Sequence, residues 1–294
     1  AASVVVSLLI ATQLKFRMVP FADRDQFAVE IYLRPDTPLE RTGAVADSVY
    51  RALRADERVK SVTSFVGCSS PRFQMSYAPQ IAGKNYAQFI VNTTSVGDTE
   101  SILDEYADAW ADRFPEAYVK FKQLDYQNVP SLEFRFYGSD IDSLRAAGDR
   151  LMDRMRRMPE LMWVHTDYEG PRAIAEVRLD PVTASQLGIT RTVVAANMAL
   201  ASGDVAVGSV WEGDYRLPVV LKRDARLGER SLSDIGDTYV SSPVPGVSVP
   251  LRQIADVEPA WSQSKIVHRN GMRCITVTAD LKRGANAMRM TSRI

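Results

Sequence analysis

Histidine and cysteine are nearly missing from this sequence: two of each occur in 294 residues. His165 and His268 have no second metal-type ligand at a useful spacing, so each reads as a structural or surface residue. Cys68 and Cys274 lie far apart, whereas a small oxidised scaffold is dense in cysteine; they read as two unrelated thiols. Charge of one sign is missing too, since 36 basic residues balance 36 acidic ones. Without a basic excess or stripe, a nucleic-acid partner is not expected. No Gly-x-Gly-x-x-Gly follows a strand, Gly83-Lys84 lacks phosphate-loop spacing, and there is no nucleophile elbow. The paired acids Asp23/Asp25 and Asp140/Asp142 read as a turn and a helix start, where carboxylates satisfy free N–H groups. The expectation is therefore no catalytic residue, no metal ligand and no cofactor, and the chain is not read as an enzyme.

Long apolar runs are also scarce. The first eleven residues, Ala1 to Ala11, are apolar or small, and the first basic residue is Lys15. About a dozen such residues are too few for a span of about 20. They fit a buried strand or helix, or the cut end of a transmembrane helix leading to Lys15, Phe16 and Arg17 at the interface.

What the sequence does contain is periodicity. Phe27, Val29, Ile31 and Leu33 alternate with Ala28, Glu30, Tyr32 and Arg34 as in a half-buried strand. Thr37-Pro38-Leu39-Glu40 reads as a cap, a proline at the first helical position and a carboxylate three residues after the cap. Leu39, Val45, Ala46, Val49, Tyr50 and Leu53 then approximate a helical stripe. Strands over 59–65 and 86–91 follow. A helix from about Asp98 buries Ile102, Leu103, Tyr106, Trp110 and Phe114, and a strand over 118–124 closes the unit. The order β-α-β-β-α-β is the ferredoxin-like, or split βαβ, arrangement.

The pattern restarts at Leu132, Phe134 and Phe136. Ser139 and Asp142 form the next capping box, Ile141, Leu144, Leu151, Met152 and Met155 a helical stripe, and 161–168 a strand. Residues 171–261 then change rhythm. Asp180-Pro181 opens a short helix stopped at Gly188, Thr190 caps another, and strands are expected over 205–210, 214–222 and 239–242, with a helical turn at 232–235. A hairpin-like stretch over 265–281 returns, with Ile275, Val277, Ala279 and Leu281 on one face and Cys274, Thr276 and Thr278 on the less apolar one. The expected fold is α+β: tandem ferredoxin-like units, the second interrupted by an inserted α/β subdomain and unfinished at its C-terminal end.

The segment from Gly67 to Asn85 is far longer than a normal hairpin connection, and carries Phe73, Met75 and Tyr77. Such loops are usually functional or disordered, and aromatic and methionine side chains make an adaptable apolar surface. The plainer alternative is a loop whose aromatics dock onto their own domain.

The run Phe21-Ala22-Asp23-Arg24-Asp25-Gln26-Phe27 into Leu33-Arg34-Pro35-Asp36-Thr37-Pro38-Leu39-Glu40-Arg41-Thr42 resembles the start of the second large periplasmic loop of a resistance-nodulation-division (RND) exporter of the AcrB/AcrD/AcrF type. Val59-Lys60-Ser61-Val62 with Gly67, Leu179-Asp180 through Ala184-Leu187-Gly188-Ile189, Ile235-Gly236-Asp237, Val249-Pro250-Leu251 and Arg269-Asn270-Gly271-Met272-Arg273 extend the resemblance in family order over nearly the full length.

The resemblance implies a periplasmic part of a Gram-negative inner-membrane protein. Residues 1–25 would be a transmembrane helix end and membrane-proximal segment, 26–127 a first porter subdomain, 128–170 and 262–294 a second, and 171–261 a docking subdomain. The whole would be a proton-driven multidrug antiporter, a homotrimer joined to a periplasmic adaptor and an outer-membrane channel, guiding small hydrophobic or amphiphilic substrates. Phe65, Arg72, Phe73, Met75, Tyr77 and Phe89 would form the substrate pocket and switch loop, with Val62 and Ile90 as apolar neighbours. The chain departs from the family's glycine- and phenylalanine-rich run, reading Gly67-Cys68-Ser69-Ser70-Pro71-Arg72-Phe73. The alternative is a structural or interaction ectodomain of a lipid, protein or heavy-metal exporter without a drug pocket; Met75 and Cys68 keep metal export open.

Overall fold

The computed structural model describes residues 22–73, 77, 79–110, 113–124, 130–202, 205–221 and 232–294. The apolar start of the chain, expected as a membrane-helix end or a buried element, lies outside them. No helix among the described residues is long and apolar enough to cross a membrane. The chain divides into two compact units: one runs to Pro171 and resumes over Gln263–Ile294, and the other is Arg172–Ser262.

In the first unit β1 (Gln26–Leu33), α1 (Leu39–Arg54), β2 (Val59–Val66), β3 (Tyr86–Thr93), α2 (Val96–Ala109) and β4 (Ala117–Gln123) follow in order. Their antiparallel sheet runs β2-β3-β1-β4, the strand order of a split βαβ. Period-2 alternation sends Phe27, Val29, Ile31, Phe89, Val91, Val119 and Phe121 to one face, where Val45, Val49 and Leu53 of α1 and Ile102 of α2 bury them.

Helix starts differ from the sequence reading. Thr37 does not cap α1; extended Pro38 occupies that position without a side-chain bond, and Leu39 and Tyr50 lie at the exposed margin while Thr42 is buried. A proline cap offers no acceptor, so the expected box does not form. Ser95 caps α2 by accepting from the Asp98 N–H, and Trp110 closes it as C-cap. The helix therefore begins two residues before Asp98.

The second half of this unit holds β5 (Leu132–Gly138), α3 (Ile141–Arg156), β6 (Leu161–Thr166), β13 (His268–Arg269), β14 (Met272–Leu281) and α7 (Ala287–Arg293). Strand β14 pairs with β5 on one side and β6 on the other. Asp140, not Ser139, caps α3, its carboxylate accepting from the Ser143 N–H. Val277, Met152 and Met155 anchor the core. The β13–β14 turn places Asn270 and Gly271 at φ 52° and 77°, left-handed values suited to a two-residue hairpin. Cys274 and Thr276, on the less apolar face of β14, are both buried as well. Both cysteines are free thiols.

The other unit contains β7 (from Pro171 to Leu179), α4 (Pro181–Gln186), α5 (Arg191–Ser202), β8 (Val205–Glu212), β9 (Tyr215–Leu221), α6 (Leu232–Gly236), β10 (Tyr239–Ser241), β11 (Ser248–Pro250) and β12 (Ala255–Gln263). Asp180 caps α4 ahead of a proline in its first turn. Its core joins Ala184, Ile189, Val194, Val240, Leu251 and Ile254. Strands β8 and β9 form a two-stranded hairpin whose Val207, Val210, Trp211, Tyr215 and Leu217 are exposed. Such a ribbon is marginally stable without a partner.

Candidate functional site

The helix-free face of the first sheet is where the candidate residues meet. Across the ladder, Phe65 of β2 stands beside Gln88 of β3, Gln88 beside Glu30 of β1, and Glu30 beside Lys120 of β4. The segment after Gly67 folds back over this face. Gly67 itself has φ +77°, a turn conformation that favours glycine, and a Cβ there would meet Leu39 Cδ1 at 2.9 Å.

Phe65 and Phe73 pack with Ala28, Ile90 and Leu124 into a small apolar cluster. Tyr77 lies 4.8 Å from Phe73, ring centre to ring centre, and its hydroxyl donates to Gln88 Oε1 at 2.9 Å. The Ser70 N–H donates to the same oxygen at 2.7 Å. Fully buried Gln88 thus ties the covering segment to the sheet at two points. Among the described residues, Gln88 Nε2 and Ser70 Oγ have no hydrogen-bond partner. Arg72 is exposed, and Met75 lies outside the described residues.

Phe89 does not join Phe65 and Phe73. It is fully buried against α1 and α2, because its place between Gln88 and Ile90 gives it the opposite parity. Val62 likewise packs toward the helices, while Ile90 faces the covering segment.

A second packed surface joins the two split βαβ halves of this unit, and pattern reading gave no sign of it. Trp163 of β6 has φ 56°, is buried, and packs into the core under α1 and α2 near Phe121. The β6–β14 register shifts between Thr278 and Asp280, opposite this point. The irregularity sends consecutive residues, Met162 and Trp163, toward the first half, while Leu161 and Val164 keep to their own core. The Tyr118 hydroxyl donates to Trp163 O at 3.0 Å. The His165 ring stacks on Tyr118 at 4.1 Å and 8°. At the rim, Lys120 pairs with Asp280 at 2.5 Å, and Arg283 reaches Asp104 and Glu100 of α2 at 2.9 Å each.

Burial dominates the electrostatics. It pushes the Tyr118 hydroxyl well up; at Tyr32 and Tyr86 it acts with the nearby Glu30 carboxylate in the same direction, so all three stay neutral. The Tyr32 hydroxyl donates to Glu30 Oε2 at 3.3 Å. Burial also lowers His165 to about 4, which leaves a neutral ring at neutral pH. Among the described residues no group of three histidine, cysteine or acidic side chains is placed to hold a metal ion.

This arrangement can bind surfaces together, with the ring of His165 taken up by stacking on Tyr118. Residues 1–293 match the AcrB/AcrD/AcrF family. The chain belongs to that family of RND transporters. Its relatives include protein HelA of Legionella pneumophila, 22% identical over 96% of this chain and 28% of that protein. Another is the nickel-cobalt-cadmium resistance protein NccA of Alcaligenes xylosoxydans xylosoxydans, 21% identical over 90% of this chain and 26% of that protein. The chain therefore spans less than a third of these curated relatives. Two crystal forms of a heavy metal efflux pump share the fold: TM-score 0.75 at 20% identity over all of this chain, and 0.77 at 20% over 99%, each over 31% of the pump. The α+β class is thereby shown. The relatives whose names give a substrate are named for metals: nickel, cobalt and cadmium in NccA, and heavy metals in the solved pump.

Proposed function

We propose that this chain is a periplasmic structural and interaction region of a metal exporter of the RND family, without a drug pocket of its own. One observation carries the reading: Phe73 and Tyr77, the aromatics expected to receive drugs, are packed onto their own sheet, tied there by Gln88. The names of NccA and of the solved heavy metal efflux pump support the cargo class. Ligands for the transported cation would then come from beyond the described residues, elsewhere in a longer protein. The exposed Trp211 and Tyr215 on the β8–β9 hairpin support an assembly role, with trimer neighbours, a periplasmic adaptor and an outer-membrane channel as the partners the family offers.

The test expresses the complete exporter in a Gram-negative host stripped of its own efflux systems. Tolerance to nickel, cobalt and cadmium salts should rise, dye extrusion should not, and Phe65→Ala and Phe73→Ala should leave dye accumulation unchanged. Extrusion of an amphiphilic dye that falls in Phe73→Ala would instead establish the apolar cluster around Phe65 and Ile90 as a drug surface, and the proposal would fail.

A further inference from the structure

We draw no further inference here: the strongest candidate, the buried Glu30 carboxylate with Tyr32 and Tyr86 beside it on the helix-free face of the first sheet, next to the seam that Tyr118 and His165 form between the two split βαβ halves, carries nothing because a cation site there restates an established property of this transporter family.

Discussion

At the residue scale, Trp163 shows how much one backbone angle can decide. A regular strand would send Trp163 to the opposite side from Met162, and the two halves would lose their shared aromatic packing. Instead φ 56° turns both side chains toward the first half. Nothing in the composition or alternation of Leu161 to Thr166 announces this, because tryptophan carries no left-handed preference. Phe89 is the converse case: strict alternation assigns it the face of Val91, so nearness to the loop in sequence does not bring it to Phe65 and Phe73. The Trp163 conformation has a measurable signature. Trp163→Ala should destabilise the chain by about 3–5 kcal/mol through lost packing. Trp163→Gly loses the same packing but relieves the backbone, so it should be more stable than the alanine variant by about 1 kcal/mol in urea titration, the reverse of the usual order. An alanine variant more stable than the glycine one would mean that the angle is not strained.

Elements fared differently according to how many neighbours they have. Strands β1 and β3 sit mid-sheet and carry clean apolar alternation, so their existence and pairing could be read directly. Strand β12 is not legible in the sequence: among the described strands it pairs with β7 alone, most of its residues are at least partly exposed, and Pro259 interrupts its pattern. The covering segment was legible as unusual but not as docked, because its attachment depends on Gln88, a lone amide inside the apolar run from Tyr86 to Val91. Gln88→Leu would keep the volume and remove the acceptor shared by the Ser70 N–H and the Tyr77 hydroxyl. Each orphaned buried donor costs about 1–3 kcal/mol, which lifting the segment into water avoids. Trypsin should therefore cut after Arg72 or Lys84 at least tenfold faster in the variant, by about 1.4 kcal/mol of easier opening. Equal cleavage rates would show that the Phe73 cluster holds the segment without help.

For the whole molecule, the sequence order of elements carried the class, since repeated β-α-β patterns with alternating faces allow few arrangements. What it could not carry was the number of compact bodies, because the two split βαβ halves share a core through Trp163 and count as one. The two chain ends that flank the Arg172–Ser262 unit lie close together: β7 pairs with β12, and beyond this pair the Ser264 hydroxyl donates to Gly170 O at 2.7 Å. Chain ends this close tolerate an inserted domain, and the same closeness should tolerate its removal. Deleting 172–262 and joining Pro171 to Gln263 through a short glycine-serine link breaks no contact within the cores around Val277 or Phe121. The shortened chain should unfold in one cooperative transition within a few degrees of the parent's first-unit transition, with Trp163 still shielded from acrylamide. A deletion product that is folded but has an exposed Trp163 would show that the inserted unit helps to close the seam. In that case the two halves could no longer be treated as self-sufficient.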